Sequence, residues 1–489
     1  MKDKRGKSTG SKKMLIGGKW VSAESGKTLS VLSPTTGEEL GKVPLSAEAD
    51  VDKAVKAAVE AFPVWSNIIQ SERSRIIYKI ANALKENMEE LISLDVREHG
   101  TAIRTAREKI AGGIGVTEYA AAASATMMGQ VLPQAIPNMI SYLQRVPLGV
   151  CAVITPWNRP VSMMCGGIMP ALAVGNTCVL KPASISSLQA VKFIEILDKV
   201  GLPPGTINLV TGPGESVGEA LASHPGVDLV RFTGSSETGK AIMAAASPTV
   251  KKVIMELGGN NPVIVCEDAD VEKAATLHAQ RHFGNCAQNC STPGRYYVHE
   301  KVYDQFVDTF VNEVKKIVVG DPQDEKTTMG PMASRQQRDK VEYYIQSALK
   351  EGARIAIGGR RPTKPQLKKG YFLMPTVVAD VTHNMTIARE ETFGPVACIL
   401  KFSSDEEALT LANDSRFGLC AGVWTKDAAK SLRLANALRT NNVFVNSPRL
   451  LAREFPWGGS VKESGIGKAN GVCGMEEMTD LKLVCMSYA

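Results

Sequence analysis

No stretch of this 489-residue chain approaches 18 consecutive apolar residues, so nothing in it reads as a membrane-spanning helix. Histidine is scarce, at six residues, and no C-x-x-C pair occurs among the ten cysteines, so the usual zinc framework is missing. Internal repeats and low-complexity linkers are missing as well. The chain also has little charge of one sign. The net charge is +7, and residues 1–13, with six basic residues and one acidic, carry +5 of it. The remaining +2 is too small an excess to argue for nucleic acid. The basic start has no apolar run behind it, so no secretory signal is read and a cytoplasmic setting is expected. Residues 1–13 read as a solvated, disordered tail. Cys151, Cys178, Cys266 and Cys398 lie inside apolar runs, as buried free thiols of a reducing compartment do.

What is present is a large core and a clear alternation of elements. The hydrophobic fraction is 44% and the charged fraction 22%, and the length suggests two or three domains. A strand-like opening, Met14–Ser22, precedes a helix from Asp50 with Val51, Ala54, Val55, Ala58, Val59 and Phe62 on one side. Further helices are expected through Ile77–Leu91 and around Ile110–Met128. From Leu148 the pattern becomes strand and helix in turn: Gly149–Thr155, Thr177–Lys181, a helix from about Ser186 to Val200, then Ile207–Val210, Asp228–Phe232 and Lys252–Leu257. Repeated βα units imply a parallel sheet with helices on both faces and ligands at the carboxyl ends of its strands. A second α/β block begins near Pro262–Cys266, with helices over Val271–Phe283 and Val302–Val319 and a strand at Ala397–Phe402. Gln130–Arg145 and Leu481–Ser487 are stray β-prone segments, of the kind that pair with another subunit.

Four places carry chemistry. Gly212–Gly218 (GPGESVG) follows a strand and opens a helix, either as a dinucleotide turn or as an ordinary strand-to-helix turn. Phe232–Lys240 (FTGSSETGK) repeats the arrangement, and its helix start offers N–H groups to a phosphate. Cys290, in FGNCAQNCSTPGR, reads as a nucleophile, as a buried structural thiol, or as a metal ligand with His282 and Cys286 at spacings of four. Gly284 disfavours the continuous helix that the metal reading needs, so no metal site is expected. Glu256 ends an apolar strand, as a general base, a salt-bridge partner or a helix cap.

Together these segments resemble the aldehyde dehydrogenase superfamily, in its hydrolytic, NAD(P)+-dependent branch. The resemblance runs from about Leu15 to the C-terminus. It rests on TPWN (Thr155–Asn158), KPAS (Lys181–Ser184), FTGSSETG, MELGG (Met255–Gly259), the Cys290 segment, EETFGP (Glu390–Pro395), PWGG (Pro456–Gly459) and SGIG (Ser464–Gly467), in that order. It implies an α/β fold: a Rossmann-like parallel-sheet cofactor domain (14–127 and 147–257), a second α/β catalytic domain (258–462) and a small β oligomerisation flap (128–146 and 463–489). A homodimer or homotetramer is implied.

The resemblance also assigns roles. Cys290 is the nucleophile, Glu256 the base that activates the deacylating water, and Asn158, with the Cys290 N–H, the oxyanion donor. The cofactor residues are Thr155, Pro156, Trp157, Lys181, Ala183, Ser184, Gly212, Gly214, Phe232, Thr233, Gly234, Ser235, Leu257, Glu391 and Phe393. Lys181 would meet the adenine ribose, Ser235 the pyrophosphate, and Glu391 and Phe393 the nicotinamide side. An aldehyde is then oxidised to a carboxylate through a thiohemiacetal and a thioester. Three departures from the family stand out: Arg159 where an aromatic is usual, Ala287 where a small residue, glycine, is, and an extra Ser460. Ala287 is expected to disturb its turn, because it adopts positive φ less cheaply than glycine. Ser184 stands where NAD+-preferring members carry glutamate, which would repel a 2′-phosphate, so either NAD or NADP is expected, with NADP accepted. Arg159, Arg449 and Trp457, with Arg453 nearby, are the substrate candidates, and the arginines favour a small polar or anionic aldehyde such as a semialdehyde or a lactaldehyde-like compound. A CoA-acylating dehydrogenase is the alternative, against which Glu256 argues. A cysteine hydrolase would need a histidine partner, and only His282 is near in sequence.

Overall fold

The computed structural model describes residues 11–448 and 452–488. Two large sheets organise it. In the first, Val150–Thr155 lies between Leu229–Thr233 and Thr177–Pro182, with Lys252–Glu256 outside one and Ile207–Leu209 outside the other. These five strands are parallel, and Gly465–Ile466 adds an antiparallel edge beside Lys252–Glu256. Val150–Thr155 and Thr177–Pro182 are buried at every position, which explains their unbroken apolar sequences: a parallel strand covered on both faces has no solvent side. One face packs Val51, Ala54, Val55 and Ala58 of the helix Glu48–Ser66 against Val150, Ala152 and Val179. The other packs helices Gln70–Glu86, Ile103–Ala123 and Pro160–Ala173 against Cys151, Val153 and Leu180.

The second sheet has seven strands, in the order Arg354–Ile357, Thr376–Ala379, Val396–Phe402, Pro293–His299, Asn261–Val265, Cys420–Trp424 and Asn442–Val445. Only the first pair is antiparallel. The fold is thus α/β, with a Rossmann-like parallel sheet, a second parallel-rich sheet and a small β flap.

Several expectations shift. Met14–Ser22 is not one strand. Gly17 and Gly18, at φ +58° and +77°, turn Met14–Ile16 back on Lys19–Val21, since paired positive φ values make the tight hairpin turn. The helix expected at Ile110–Met128 runs Ile103–Ala123. Its glycines do not break it: a Cβ at Gly113 would lie 3.2 Å from the Ser162 Cα, so the gap is a helix contact. The two stray β segments pair with each other in the same chain, Thr479–Ser487 against Met139–Pro147 over nine residues. Each supplies the edge that the other lacks, so partner-subunit pairing is not what first satisfies them. The terminal segment also reaches beyond this flap, because Gly465–Ile466 belongs to the first sheet. Among the described residues no helix is long and apolar enough to cross a membrane.

Candidate active site

The strands of the first sheet deliver the chemistry at their carboxyl ends. Val150–Thr155 runs into Pro156–Arg159 and then into a helix whose first residue, Pro160, suits that position because its missing N–H has no partner to lose. Leu229–Thr233 turns at Gly234 into the helix Ser236–Ala246. Lys252–Glu256 leads through Leu257, Gly258 and Gly259 into the first strand of the second sheet.

The loop carrying Cys290 is held in an unusual backbone. Asn285, Cys286 and Ala287 have φ of 55°, 55° and 54°, three consecutive non-glycine residues in the left-handed region. Each such residue costs about 1–2 kcal/mol. Side chains offset this. Asn285 Nδ2 donates to the Asn158 carbonyl at 3.1 Å and to the Gln288 carbonyl at 3.3 Å, and Asn285 Oδ1 accepts from Thr101 Oγ1 at 3.2 Å. Gln288 Nε2 donates to the Asn285 carbonyl and Gln288 Oε1 accepts the Ala333 N–H, both at 3.0 Å. Ala287 therefore keeps the turn in spite of the strain it was expected to bring. Downstream, Asn261 Nδ2 donates to the carbonyls of Cys290 and Thr292, each at 2.8 Å.

Cys290 is half-buried, packs beside Trp457, Leu419 and Cys420, and opens on a cavity of about 440 Å³. Glu256, Thr233, Arg159, Arg231 and Arg453 line the same cavity. Asn158 is buried beneath the loop, where Nδ2 donates to the Gln288 carbonyl at 3.0 Å, and this amide nitrogen carries a second N–H. The other two members of the proposed metal spacing serve elsewhere. His282 Nδ1 meets Tyr296 Oη and Nε2 the Val396 carbonyl, both at 3.0 Å. The Cys286 thiol donates to the carbonyls of Gly330 at 3.1 Å and Pro331 at 3.3 Å, and burial pushes its pKa up to about 12.

Glu256 is 5% exposed, and neither of its oxygens has a hydrogen-bond partner among the described residues. Burial raises its pKa to about 8, against the opposing charges of Arg231 and Lys468. Its carboxylate abuts Gly458, where any Cβ would collide with it. The glycine of PWGG thus makes room for the acid.

The residues expected at a dinucleotide line the strand ends. Thr155 Oγ1 is buried without a hydrogen-bond partner among the described residues. Lys181 Nζ, 3% exposed as a residue, donates to the Pro182 carbonyl at 3.2 Å, and burial lowers its pKa to about 8. Ser184, beside Ala183, donates to the Gly212 carbonyl at 3.0 Å, joining two expected positions, while the surface beside Gly214 is open. Ser235 caps the helix Ser236–Ala246 by accepting from the Thr238 N–H at 3.1 Å. Gly234 has no room for a Cβ against the Phe232 ring. Leu257 packs under Gly239. Glu391 accepts the Gly259 N–H at 3.1 Å, with its pKa raised by burial to about 7. Trp157 stands edge-on to Phe393 at 5.4 Å and stacks on His99 at 5.5 Å. Orphaned polar atoms, a capped helix start and glycine clearances at parallel-strand ends fit a dinucleotide.

Arg449 lies outside the described residues. Arg159 is half-buried at the cavity wall, and exposed Arg453 has long ion pairs to Glu118 at 3.7 Å and Glu454 at 3.9 Å. Sequence reasoning gave no role to Arg231, Asn261, Asn285 or Thr101. A guanidinium inside the apolar run DLVRF was the one available signal.

A model of the aldehyde dehydrogenase family matches residues 20–484. The chain is 40% identical over 476 residues to betaine aldehyde dehydrogenase of Bacillus subtilis (strain 168), covering 97% of each protein. It is 39% identical over 484 residues to the cytosolic 10-formyltetrahydrofolate dehydrogenase of Xenopus tropicalis, matching 97% of itself and 53% of that longer protein. A point mutant of betaine aldehyde dehydrogenase from Staphylococcus aureus, in complex with NAD+ and with a BME-modified cysteine, has a TM-score of 0.95 at 37% identity, covering 97% of this chain and 96% of that one. A half-buried thiol and a buried carboxylate thus line one cavity of a two-sheet α/β protein, and the relatives place it among the oxidoreductases. The chain belongs to the aldehyde dehydrogenase family and acts on the aldehyde group.

Proposed function

We propose that this enzyme oxidises a small polar or anionic aldehyde to its carboxylate, with Cys290 as nucleophile and Glu256 as hydrolytic base. The observation that carries the reading is that both line one cavity, the acid with neither oxygen hydrogen-bonded among the described residues. The Cys290 thiolate adds to the aldehyde carbon, and the second N–H of Asn158 and the Cys290 N–H meet the oxyanion. When bound, NAD(P)+ would supply the hydride acceptor, and Lys181, Ser184, the Ser235 helix start and Glu391 would hold it. Covalent attachment holds the carbon where transfer is unimolecular. Glu256 then takes a proton from water as it attacks the thioester, and Cys290 leaves as the thiolate. With such a base no CoA is required. A panel of aldehydes with both nicotinamides, with product measured with and without CoA, tests this. Acyl-CoA formed in place of acid would select the alternative.

The relative solved with NAD+ supports that cofactor. Ser184 supports NADP+ as well, because no carboxylate stands there to repel a 2′-phosphate. A kcat/KM with NADP+ a hundredfold or more below that with NAD+ would discard this part. For the substrate, Arg159 and Arg453 set two guanidinium groups on the cavity wall, with Glu454 beside Arg453, which disfavours a quaternary ammonium aldehyde and favours an acidic one. Arg159→Leu should raise KM for an acidic aldehyde about tenfold or more and leave a neutral one nearly unchanged, since a charged bidentate pair contributes about 1.5–3 kcal/mol. We also propose a cytoplasmic homodimer or homotetramer, with the domain division stated above. The outer edge of Thr479–Ser487, which pairs with no other strand among the described residues, is the feature that supports assembly.

A further inference from the structure

We infer that Arg231 is a positioning residue for hydrolysis: a buried guanidinium whose charge, held at one remove, favours the ionised form of Glu256 while leaving its lone pairs free for water. This rests on Glu256 being the base.

Arg231 lies on Leu229–Thr233 and pairs with Ile254, while Thr233 pairs with Glu256. Side chains two apart on a strand share a face, so Arg231 and Glu256 are diagonal neighbours on the same side of the sheet. Their neighbours Val230 and Phe232 pack into the opposite core. The guanidinium thus occupies a position where the sheet otherwise buries apolar groups, at 7% exposure. Burying a cation there is costly unless something uses it. Two N–H groups go to the carbonyls of Gly166 and of Ala469, the latter at 3.3 Å. Both acceptors are neutral, so the charge is not cancelled at the anchor.

Glu256 is the carboxylate this charge acts on, with the thiols of Cys151 and Cys178 beside it. From the other side Glu256 faces Lys468, whose Nζ donates to the Gly458 carbonyl at 2.5 Å. Across the cavity stand Cys290, Arg159, Arg453 and Glu454. A direct salt bridge to Glu256 would occupy the oxygens that must accept water's proton. An isolated carboxylate in this cavity would stay protonated at neutral pH. A cation near but not bonded leaves the oxygens free and enlarges the ionised fraction that can act as base.

The test is the pH profile of deacylation in Arg231→Met, Arg231→Gln and Arg231→Lys. Loss of the charge should move the rising limb upward by about one unit or more, slowing thioester hydrolysis at pH 7 about tenfold, with the first-turnover burst of reduced cofactor intact. Lys should keep the limb within a few tenths of a unit of wild type. Gln retains a donor for both carbonyls at neutral charge, so it reads the same effect should Met destabilise the fold. An unmoved limb in folded Met or Gln variants, with activity lowered equally at all pH values, overturns the inference and leaves only a structural role. Glu256→Gln run alongside separates the two ideas. Full turnover in it sinks the base itself, whereas its inactivity with an unmoved Arg231 limb sinks the inference alone.

Discussion

Glu98, under the helical layer, and Glu256, at the cavity, are both almost fully buried and both carry a pKa that burial raises to about 8. Their partners differ completely. Glu98 accepts the N–H groups of Leu188 at 2.7 Å and Gln189 at 2.8 Å, which open the helix Ser187–Asp198 and would otherwise be orphaned. Glu256 accepts nothing among the described residues. A raised pKa by itself therefore marks burial, and the hydrogen bonds decide whether the acid is an anchor or a reagent. The cysteines four residues apart show the same contrast. Cys286 directs its one S–H toward two carbonyls in the core, while Cys290 opens on the cavity.

The sharpest break of this comparison is at the thiols. Cys290→Ser should reduce aldehyde turnover below about 0.1% of wild type, as loss of a covalent nucleophile does, while Cys286→Ala keeps turnover and loses thermal stability. Next comes Glu256→Gln. Steady-state turnover should fall about 10²–10⁴-fold, with the burst preserved and with loss of the rising pH limb expected of wild type near pH 8. The same variant tests linkage. An acid whose folded pKa exceeds its unfolded value keeps its proton longer when folded, so wild type loses stability as pH rises from about 4.5 to about 8. Glu256→Gln lacks that loss, so its melting temperature should gain on wild type across this window and level off above it. Glu98→Gln should do the opposite at the site: kcat per folded molecule unchanged, and about 1–3 kcal/mol lost in denaturant melts because one helix N–H then faces an amide NH₂. The smallest effect is at the strained loop, where Ala287→Gly should stabilise by about 0.5–1 kcal/mol by relieving a left-handed alanine, read as a small rise in melting temperature.

Much of this was legible beforehand. Unbroken apolar strands such as Val150–Thr155 announced a covered parallel sheet, and the glycine turns after them announced where a ligand sits. Cys290 and Glu256 stood out because a thiol in a Gly- and Asn-rich loop and an acid closing an apolar strand are poor core material. Less visible were contacts between distant segments. Asn285 to Thr101 spans 184 positions and Asn261 to Cys290 spans 29, and no local spacing encodes either. The hairpin at Gly17–Gly18 was missed because a tight turn inside a short β-prone run leaves little periodicity to read.

Local chemistry in the chain determined which residues could react and which runs had to be buried, because these depend on side-chain type and period. Tertiary structure decided which of two alike residues would do so. Whether a buried acid meets helix N–H groups or an open cavity, and whether a cation stands near it without touching, depends on how strands far apart in the chain are aligned.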